Sequence, residues 1–372
     1  MINRQLYNNL IHDFDFRKAV VLFGPRQVGK TTLIKSILNE KKALFLNGDD
    51  IQTRNQFESV NFNLLKNMVS DYDYIIIDEA QRIKNIGLSV KMLIDAQMNK
   101  QFILTGSSSL ELGNEISEPL TGRKWEHLLL PISWQEAKEY FGFSEALAKL
   151  EEFLIYGLYP EVVTATSKKQ RILLELSSSY LYRDILELAN IKKPDLLSRL
   201  LNALALQVGN EVSYNELAKI LSVDRTTIIN YIDLLEKSFV IFKLRPFSGN
   251  QRNEITAKPK IYFYDNGIRN AIIGQFNALS SRQDVGALFE NFFISERYKK
   301  LTYSGFYGKT FFWRNTQQAE IDYLEMLENE ITAYEIKYSP TRKVNFTKSF
   351  TERYFPKNTY VVNKDNFWEY LQ

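Results

Sequence analysis

Apolar positions fall into two kinds of run along the chain. In the first third, short unbroken runs alternate with amphipathic stretches: Ala19-Val20-Val21-Leu22-Phe23, a helical pattern from about Thr31 to Leu38, Tyr74-Ile75-Ile76-Ile77, and Gln101-Phe102-Ile103-Leu104. Continuous runs of this length suit strands buried on both faces, and their alternation with helices predicts a parallel sheet over residues 1–132. From Ser133 to about Leu200 the spacing is helical throughout, broken at Gly157-Leu158-Tyr159-Pro160, which predicts a helical lid over 133–200. Ser213 precedes a short helix to Leu221, Ser222-Val223-Asp224 is a tight break, and a longer helix runs from about Arg225 to Lys237. The β-rich runs Phe239–Leu244 and Lys260–Tyr264 follow, so 201–265 reads as helix, turn, helix and hairpin, a winged helix-turn-helix. Residues 266–372 predict a further α/β domain, with a helix over Asp284–Leu301 and strands at Thr310–Arg314, Ala319–Leu324 and Ile331–Lys337. The fold class is α/β.

The last two strands flank Glu328-Asn329, which suits a two-residue hairpin turn. With that turn Leu327 faces Glu330, Asp322 lies opposite Glu335, and Glu320 lies opposite Lys337. Alternate residues share a face, so these four side chains project together while Ile321, Tyr323, Tyr334 and Ile336 point to a core. A turn one residue longer would break the arrangement.

Composition narrows the chemistry. The 372 residues contain no cysteine and two histidines, His12 and His127. Disulfides, cysteine zinc sites, thiol catalysis and multi-histidine metal sites are excluded. No run approaches the roughly 18 apolar residues that span a bilayer, and Met1-Ile2-Asn3-Arg4-Gln5-Leu6-Tyr7 is not a secretory segment. The expectation is a soluble, cytoplasmic protein that binds no membrane. A net charge of +3 permits nucleic-acid binding without arguing for it.

The run Ala19–Phe23 leads directly into Gly24-Pro25-Arg26-Gln27-Val28-Gly29-Lys30-Thr31, the G-x-x-x-x-G-K-[ST] phosphate loop, in its required setting of strand, loop and helix. Backbone N–H groups from Gly24 to Thr31, with Thr32, would cradle the phosphates of ATP, and Lys30 would reach the β- and γ-phosphates. The Thr31 hydroxyl and Asp78 would hold Mg²⁺. Asp78 and Glu79 end a buried strand, where ligands bind in open α/β sheets, and Glu79 is placed to position the attacking water. The strand 101–106 ends in Ser107 and Ser108, either of which could sense the γ-phosphate; an ordinary Gly/Ser turn would give the same string. Two arginines are candidates for the γ-phosphate: Arg123, in cis or from another subunit, and Arg183.

Asp224 would cap the second helix of the winged segment and present Arg225, Thr226, Thr227 and Asn230, with Arg245, Arg252 and Lys258 near the wing. These types suit duplex DNA, but Asp233 and Glu236 share the helix, and winged helices also bind proteins. Asp322 with Glu335-x-Lys337 forms the string of metal-dependent nucleases, in which carboxylates hold Mg²⁺ and the lysine assists. Glu290 could add a ligand. A hairpin with ordinary cross-strand charge pairs would read the same.

The Gly24–Thr31 loop, Ile75-Ile76-Ile77-Asp78-Glu79-Ala80-Gln81, Thr105-Gly106-Ser107-Ser108-Ser109, Gly122-Arg123 and Asp265-Asn266-Gly267 together resemble a group of prokaryotic AAA-superfamily ATPases. Members carry a C-terminal domain of unknown function similar to restriction-endonuclease, PD-(D/E)xK, folds. The resemblance spans nearly the whole chain and implies a P-loop ATPase core, a winged helix and a nuclease-like domain. The expected function is an ATP- and Mg²⁺-dependent ATPase associated with duplex DNA, possible as an oligomer. The alternative is a nucleotide-dependent switch or scaffold for a protein partner, with an inactive C-terminal domain.

Overall fold

The computed structural model describes residues 2–107, 116, 118–181, 194–248, 254, 257–342 and 344–372. Ser108, Arg183 and Arg252 lie outside the described residues. The contacts divide the chain into two units, residues 1–132 with 237–239, and residues 133–236 with 240–372.

The first unit is built on a parallel sheet of strands β1 (Ala19–Phe23), β2 (Ala43–Asn47), β3 (Tyr74–Asp78), β4 (Gln101–Gly106) and β5 (Lys124–Leu128), in the order β2-β3-β4-β1-β5. The three central strands are the unbroken apolar runs of the sequence, and β1 and β4 are buried at every position. The edge strands β2 and β5 are only partly buried, and β5 is largely polar. Parallel registers Leu22↔Thr105, Phe23↔Gly106, Ile77↔Leu104 and Asn47↔Asp78 align the carboxyl ends of these strands along one edge. Helices α1 (Leu6–His12), α2 (Lys30–Ile37), α3 (Ile51–Glu58), α4 (Phe62–Val69) and α5 (Ile86–Asp95) complete the unit. Asp50 and Asn61 cap α3 and α4 by accepting from the Thr53 and Leu64 N–H groups.

The second unit begins with helices: α6 (Trp134–Phe141), α7 (Phe143–Ala148), α8 (Leu150–Tyr156), α9 (Pro160–Thr164), α10 (Lys169–Glu175) and α11 (Pro194–Leu206). A capping box joins Ser133 and Glu136, and Pro160 occupies the first turn of α9. Next come α12 (Tyr214–Leu221) and α13 (Arg225–Lys237), then the antiparallel pair β6 (Ile241–Pro246) and β7 (Lys260–Phe263). Helices α14 (Asn266–Ile272) and α15 (Val285–Tyr303) precede β8 (Lys309–Arg314), β9 (Glu320–Leu327) and β10 (Glu330–Ile336), and α16 (Lys348–Tyr354) leads to β11 (Asn358–Val362).

These strands form a sheet in the order β11-β10-β9-β8-β6-β7. The β8, β9 and β10 strands are an antiparallel meander, and β11 pairs parallel with β10. Strand β6 pairs with β8 through Arg245↔Phe311 and Pro246↔Phe312, so the sheet runs through the boundary expected at 265/266. Phe311, Trp313, Ile321, Leu324, Ile331, Ala333 and Phe350 form an apolar cluster.

The Asp265-Asn266-Gly267 string is a structural bracket. Asp265 caps α14 through the Ile268 N–H at 3.1 Å and accepts from the Leu158 N–H at 2.6 Å. Asn266 donates to the carbonyls of Leu154 and Leu288.

Candidate functional site

The phosphate loop leaves β1 at Gly24, whose φ is +152° and whose missing Cβ would lie 2.0 Å from the Leu129 carbonyl oxygen. No side chain fits there. Gln27 and Gly29 also take positive φ, +59° and +93°, a path that turns successive N–H groups toward a common centre. Gly29 then opens α2. Arg4 braces the loop from outside: its guanidinium donates to the carbonyls of Val28 at 2.6 Å and Leu130 at 2.5 Å.

Lys30 is 6% exposed, and its ammonium donates to the carbonyls of Gly24 at 2.7 Å and Pro25 at 3.0 Å. The Thr31 hydroxyl donates to Asp78 Oδ2 at 2.7 Å. The hydroxyl of Thr105, the β4 neighbour of Leu22, donates to the other oxygen of Asp78. Asp78 is therefore fixed between two hydroxyls at the carboxyl edge of the sheet. Thr31 and Asp78 offer the hard oxygen donors that suit Mg²⁺, and the buried ammonium suits polyphosphate, so the residues present fit ATP–Mg²⁺. Pro25 and Val28 are buried, Arg26 is half-buried, and Gln27 and Thr32 are exposed.

Glu79 sits at φ +49°, in the left-handed region, where a non-glycine residue stores roughly 1–3 kcal/mol. Gly48 makes that turn possible: a Cβ there would lie 2.3 Å from the Glu79 carbonyl oxygen. One amide ties two predicted site residues together. Gln81 Nε2 donates to Glu79 Oε2 at 2.5 Å and to Ser107 Oγ at 3.2 Å. Sequence reasoning gave no role to Gln81, Thr105 or Arg4.

Arg123 is elsewhere. It immediately precedes β5, which runs parallel to β1 with Lys124 beside Ala19, so it lies at the amino edge of the sheet. The phosphate loop leaves the other end of β1, roughly 13 Å away for four strand steps. Arg123 Nε is bound to Asp95 at 2.6 Å. A γ-phosphate contact in cis is ruled out by this placement.

The second unit carries the carboxylate constellation. The hairpin pairs Glu330 with Leu327 and Tyr334 with Tyr323, the register of the two-residue turn. Lys337 Nζ lies 2.6 Å from Asp322 Oδ2 and 3.1 Å from Glu335 Oε2, and Asp322 also accepts from the Ile336 N–H at 2.7 Å. Burial, and then the Asp322 charge beside it, push the Glu335 carboxyl up to about 7. Asp322 and Glu335 are each 6% exposed, while Glu320 and Lys337 are half-buried.

Glu290, on α15, is held differently from the ligand role expected of it. It accepts from the Tyr262 hydroxyl at 2.6 Å and lies 3.4 Å from Lys260 Nζ, which also pairs with Glu320. Burial raises the Glu290 carboxyl. Burial alone would depress the Lys260 ammonium, but Glu290, Glu320 and Asp322 outweigh it and raise its pKa. Among the described residues no three carboxylate or imidazole groups converge into a metal cage. Asp322 and Glu335 are hard oxygen donors that fit Mg²⁺ or Mn²⁺ as a pair. Lys260 and Tyr262 were missed from sequence, although two polar residues at alternate positions of an apolar strand were the available signal.

On α13, Arg225, Thr226 and Asn230 are exposed, and Asp233 and Glu236 are engaged by Lys243. Asp224 accepts from the Thr227 hydroxyl at 3.2 Å. Arg245 and Lys258 are exposed. No described helix is long and apolar enough to cross a membrane.

Residues 16–138 match an AAA domain, and residues 147–279 and 285–369 match two domains of unknown function, DUF8612 and DUF4143. An uncharacterized protein of Methanocaldococcus jannaschii is 28% identical over 356 residues, covering 89% of this chain and 76% of that protein. One of Haemophilus influenzae is 29% identical over 303 residues, covering 75% of each. A solved signal transduction ATPase with numerous domains from Pyrococcus horikoshii overlaps with a TM-score of 0.30 at 14% identity, over 81% of this chain. This chain spans 45% of that structure. The phosphate loop, Thr31, Asp78 and Glu79 all lie within the residues that match the AAA domain.

Proposed function

We propose that the protein binds and hydrolyses ATP with Mg²⁺, and uses nucleotide state to control an association with duplex DNA. The observation that carries the ATPase reading is the convergence of Lys30, the Thr31–Asp78 pair and Glu79 at one edge of a parallel sheet. Lys30 would leave the Gly24 and Pro25 carbonyls for the β- and γ-phosphate oxygens. Thr31 and Asp78 would hold Mg²⁺, which shields phosphate charge when bound. Glu79 would orient the attacking water. Gln81 and Ser107 would fix the Glu79 carboxylate until nucleotide arrives. Phosphate release from ATP by the purified protein tests this directly, with Glu79→Gln as the control.

The DNA reading rests on α12, α13 and the β6–β7 pair, which follow the order of a winged helix. Lys243 pairs with both acidic residues of α13 and offsets one of their two charges, which would ease the approach of the exposed Arg225, Thr226 and Asn230 to the duplex. In the C-terminal part, the order α15-β8-β9-β10-α16-β11 with Asp322, Glu335 and Lys337 together supports a nuclease-like site. Gel shifts of duplex DNA at several salt concentrations test the association, since phosphate contacts weaken steeply with salt. No shift at low salt would favour the second reading, a nucleotide-dependent scaffold for a protein partner. Metal-dependent nicking by wild type over Asp322→Ala tests the nuclease.

A further inference from the structure

Four carboxylates in the second unit meet two lysines from different parts of the chain, and Arg314 Nε also lies 3.6 Å from Glu320 Oε2. Lys337, of the Glu-x-Lys string, serves Asp322 and Glu335. Lys260 comes from β7, outside the hairpin, and serves Glu290 and Glu320. Its side chain is 3% exposed, and its ammonium also sits 5.3 Å from the centroid of the Phe312 ring. Tyr262, two residues along the same strand, donates to the same Glu290 oxygen, Oε1. The space between Glu290 and Glu320 is thus already filled by a fixed cation, walled by aromatic rings. An ammonium there supplies one positive charge and no coordination geometry, so it balances the carboxylates without acting as a Lewis acid.

We infer that Lys260 is the resident cation of the Glu290–Glu320 pair. The cluster then takes no ion at Glu290 and Glu320; a single divalent ion at Asp322 and Glu335 would displace Lys337, whose side chain is 21% exposed against 3% for Lys260. The single remaining ion rests on the metal reading of Asp322 and Glu335 above; the assignment of Lys260 does not. The consequence for chemistry is that a two-metal clamp on a phosphate is closed to this site, which leaves one ion and Lys337.

The test is an ion count. Full-length protein, stripped with EDTA and free of nucleotide, is titrated with Mn²⁺, and free Mn²⁺ is read by electron paramagnetic resonance. Lys260→Gln should bind one more Mn²⁺ per chain than wild type. Lys260→Met combined with Glu290→Gln, which removes the lysine and one of its two carboxylates, should bind the same number as wild type. Asp322→Asn combined with Glu335→Gln should bind one fewer. Lys260→Gln leaves Glu290 buried without its cation, so the melting temperature is followed as well, and Mn²⁺ should raise it more in this variant than in wild type. A Lys260→Gln protein that folds only with Mn²⁺ gives the same answer. Equal counts in wild type and Lys260→Gln, or a variant that Mn²⁺ neither binds nor stabilises, overturn the assignment of Lys260. A gain in Lys260→Gln with no loss in the Asp322 and Glu335 double variant keeps Lys260 as resident cation and discards the metal reading of the other pair.

Discussion

Replacing Lys30 by methionine keeps a chain of similar length and removes the ammonium that the phosphate loop encloses. In the resting site that ammonium makes two hydrogen bonds to neutral carbonyls, those of Gly24 and Pro25. On binding ATP it would exchange them for charged phosphate oxygens. A charge-assisted hydrogen bond contributes about 1.5–3 kcal/mol and a neutral one about 1 kcal/mol, so two exchanges are worth about 3 kcal/mol in total. That corresponds to roughly a 100-fold rise in Kd. The assay is anisotropy of a fluorescent ATP analogue with Mg²⁺, with circular dichroism and the melting temperature confirming that the variant is folded. Lys30→Arg should also lose affinity, because the 6% exposed pocket at this position is shaped for a slender ammonium and the planar guanidinium is wider. A folded Lys30→Met protein within threefold of wild-type affinity would refute the role of this side chain.

Three further outcomes follow from the geometry. Glu79→Gln preserves shape and the contact with Gln81, so it should keep ATP affinity and release phosphate at least about 100-fold more slowly; unchanged turnover would remove Glu79 from the chemistry. Arg123→Ala, tested by single-turnover hydrolysis at protein concentrations too low for self-association, should change the rate less than about twofold, and a tenfold loss there would contradict the placement of Arg123 at the amino edge of the sheet. Asp284 binds the buried guanidiniums of Arg269 at 2.5 Å and Arg282 at 2.8 Å. Burial alone would raise its carboxyl, but the two arginines outweigh burial and hold it at about 2. Its folded value lies below the unfolded 3.8, so it contributes about 2 kcal/mol above pH 4, lost as pH falls toward 2. Urea unfolding should therefore show Asp284→Asn less stable than wild type at pH 7 by at least that amount, with the gap narrowing at pH 3; an equal gap at both pH values would show that the carboxylate charge is not the cause.

The first unit was legible because its signals are local. A strand buried on both faces must be apolar at every position, as Ala19–Phe23 is, and the phosphate loop adjoins it in sequence. The edge strand β5 was passed over because Lys124-Trp125-Glu126-His127-Leu128 has one polar, half-covered face; Lys18 lies over Trp125 at 3.8 Å rather than a second layer of helices. That omission produced the error at Arg123. Closeness in sequence to β4 suggested closeness to the phosphates, but a residue preceding a strand parallel to β1 must lie at the opposite edge from a residue following β1.

The carboxylate site divides along the same line. Register within a hairpin is arithmetic once the turn is known, so Asp322, Glu335 and Lys337 could be placed together from Glu328-Asn329 alone. Lys260 is separated from Glu320 by two intervening strands in sheet order and by sixty residues in sequence. No periodicity reports such a contact. Only the alternation of Lys260 and Tyr262 in an otherwise apolar strand marks it, because a buried ammonium and a buried hydroxyl on one face both require a partner. Glu290 is legible as a candidate ligand on its helix, but its partner could not be named from the helix. A polar residue inside an apolar run thus identifies one side of a long-range contact, and the other side becomes known only when the sheet order is known.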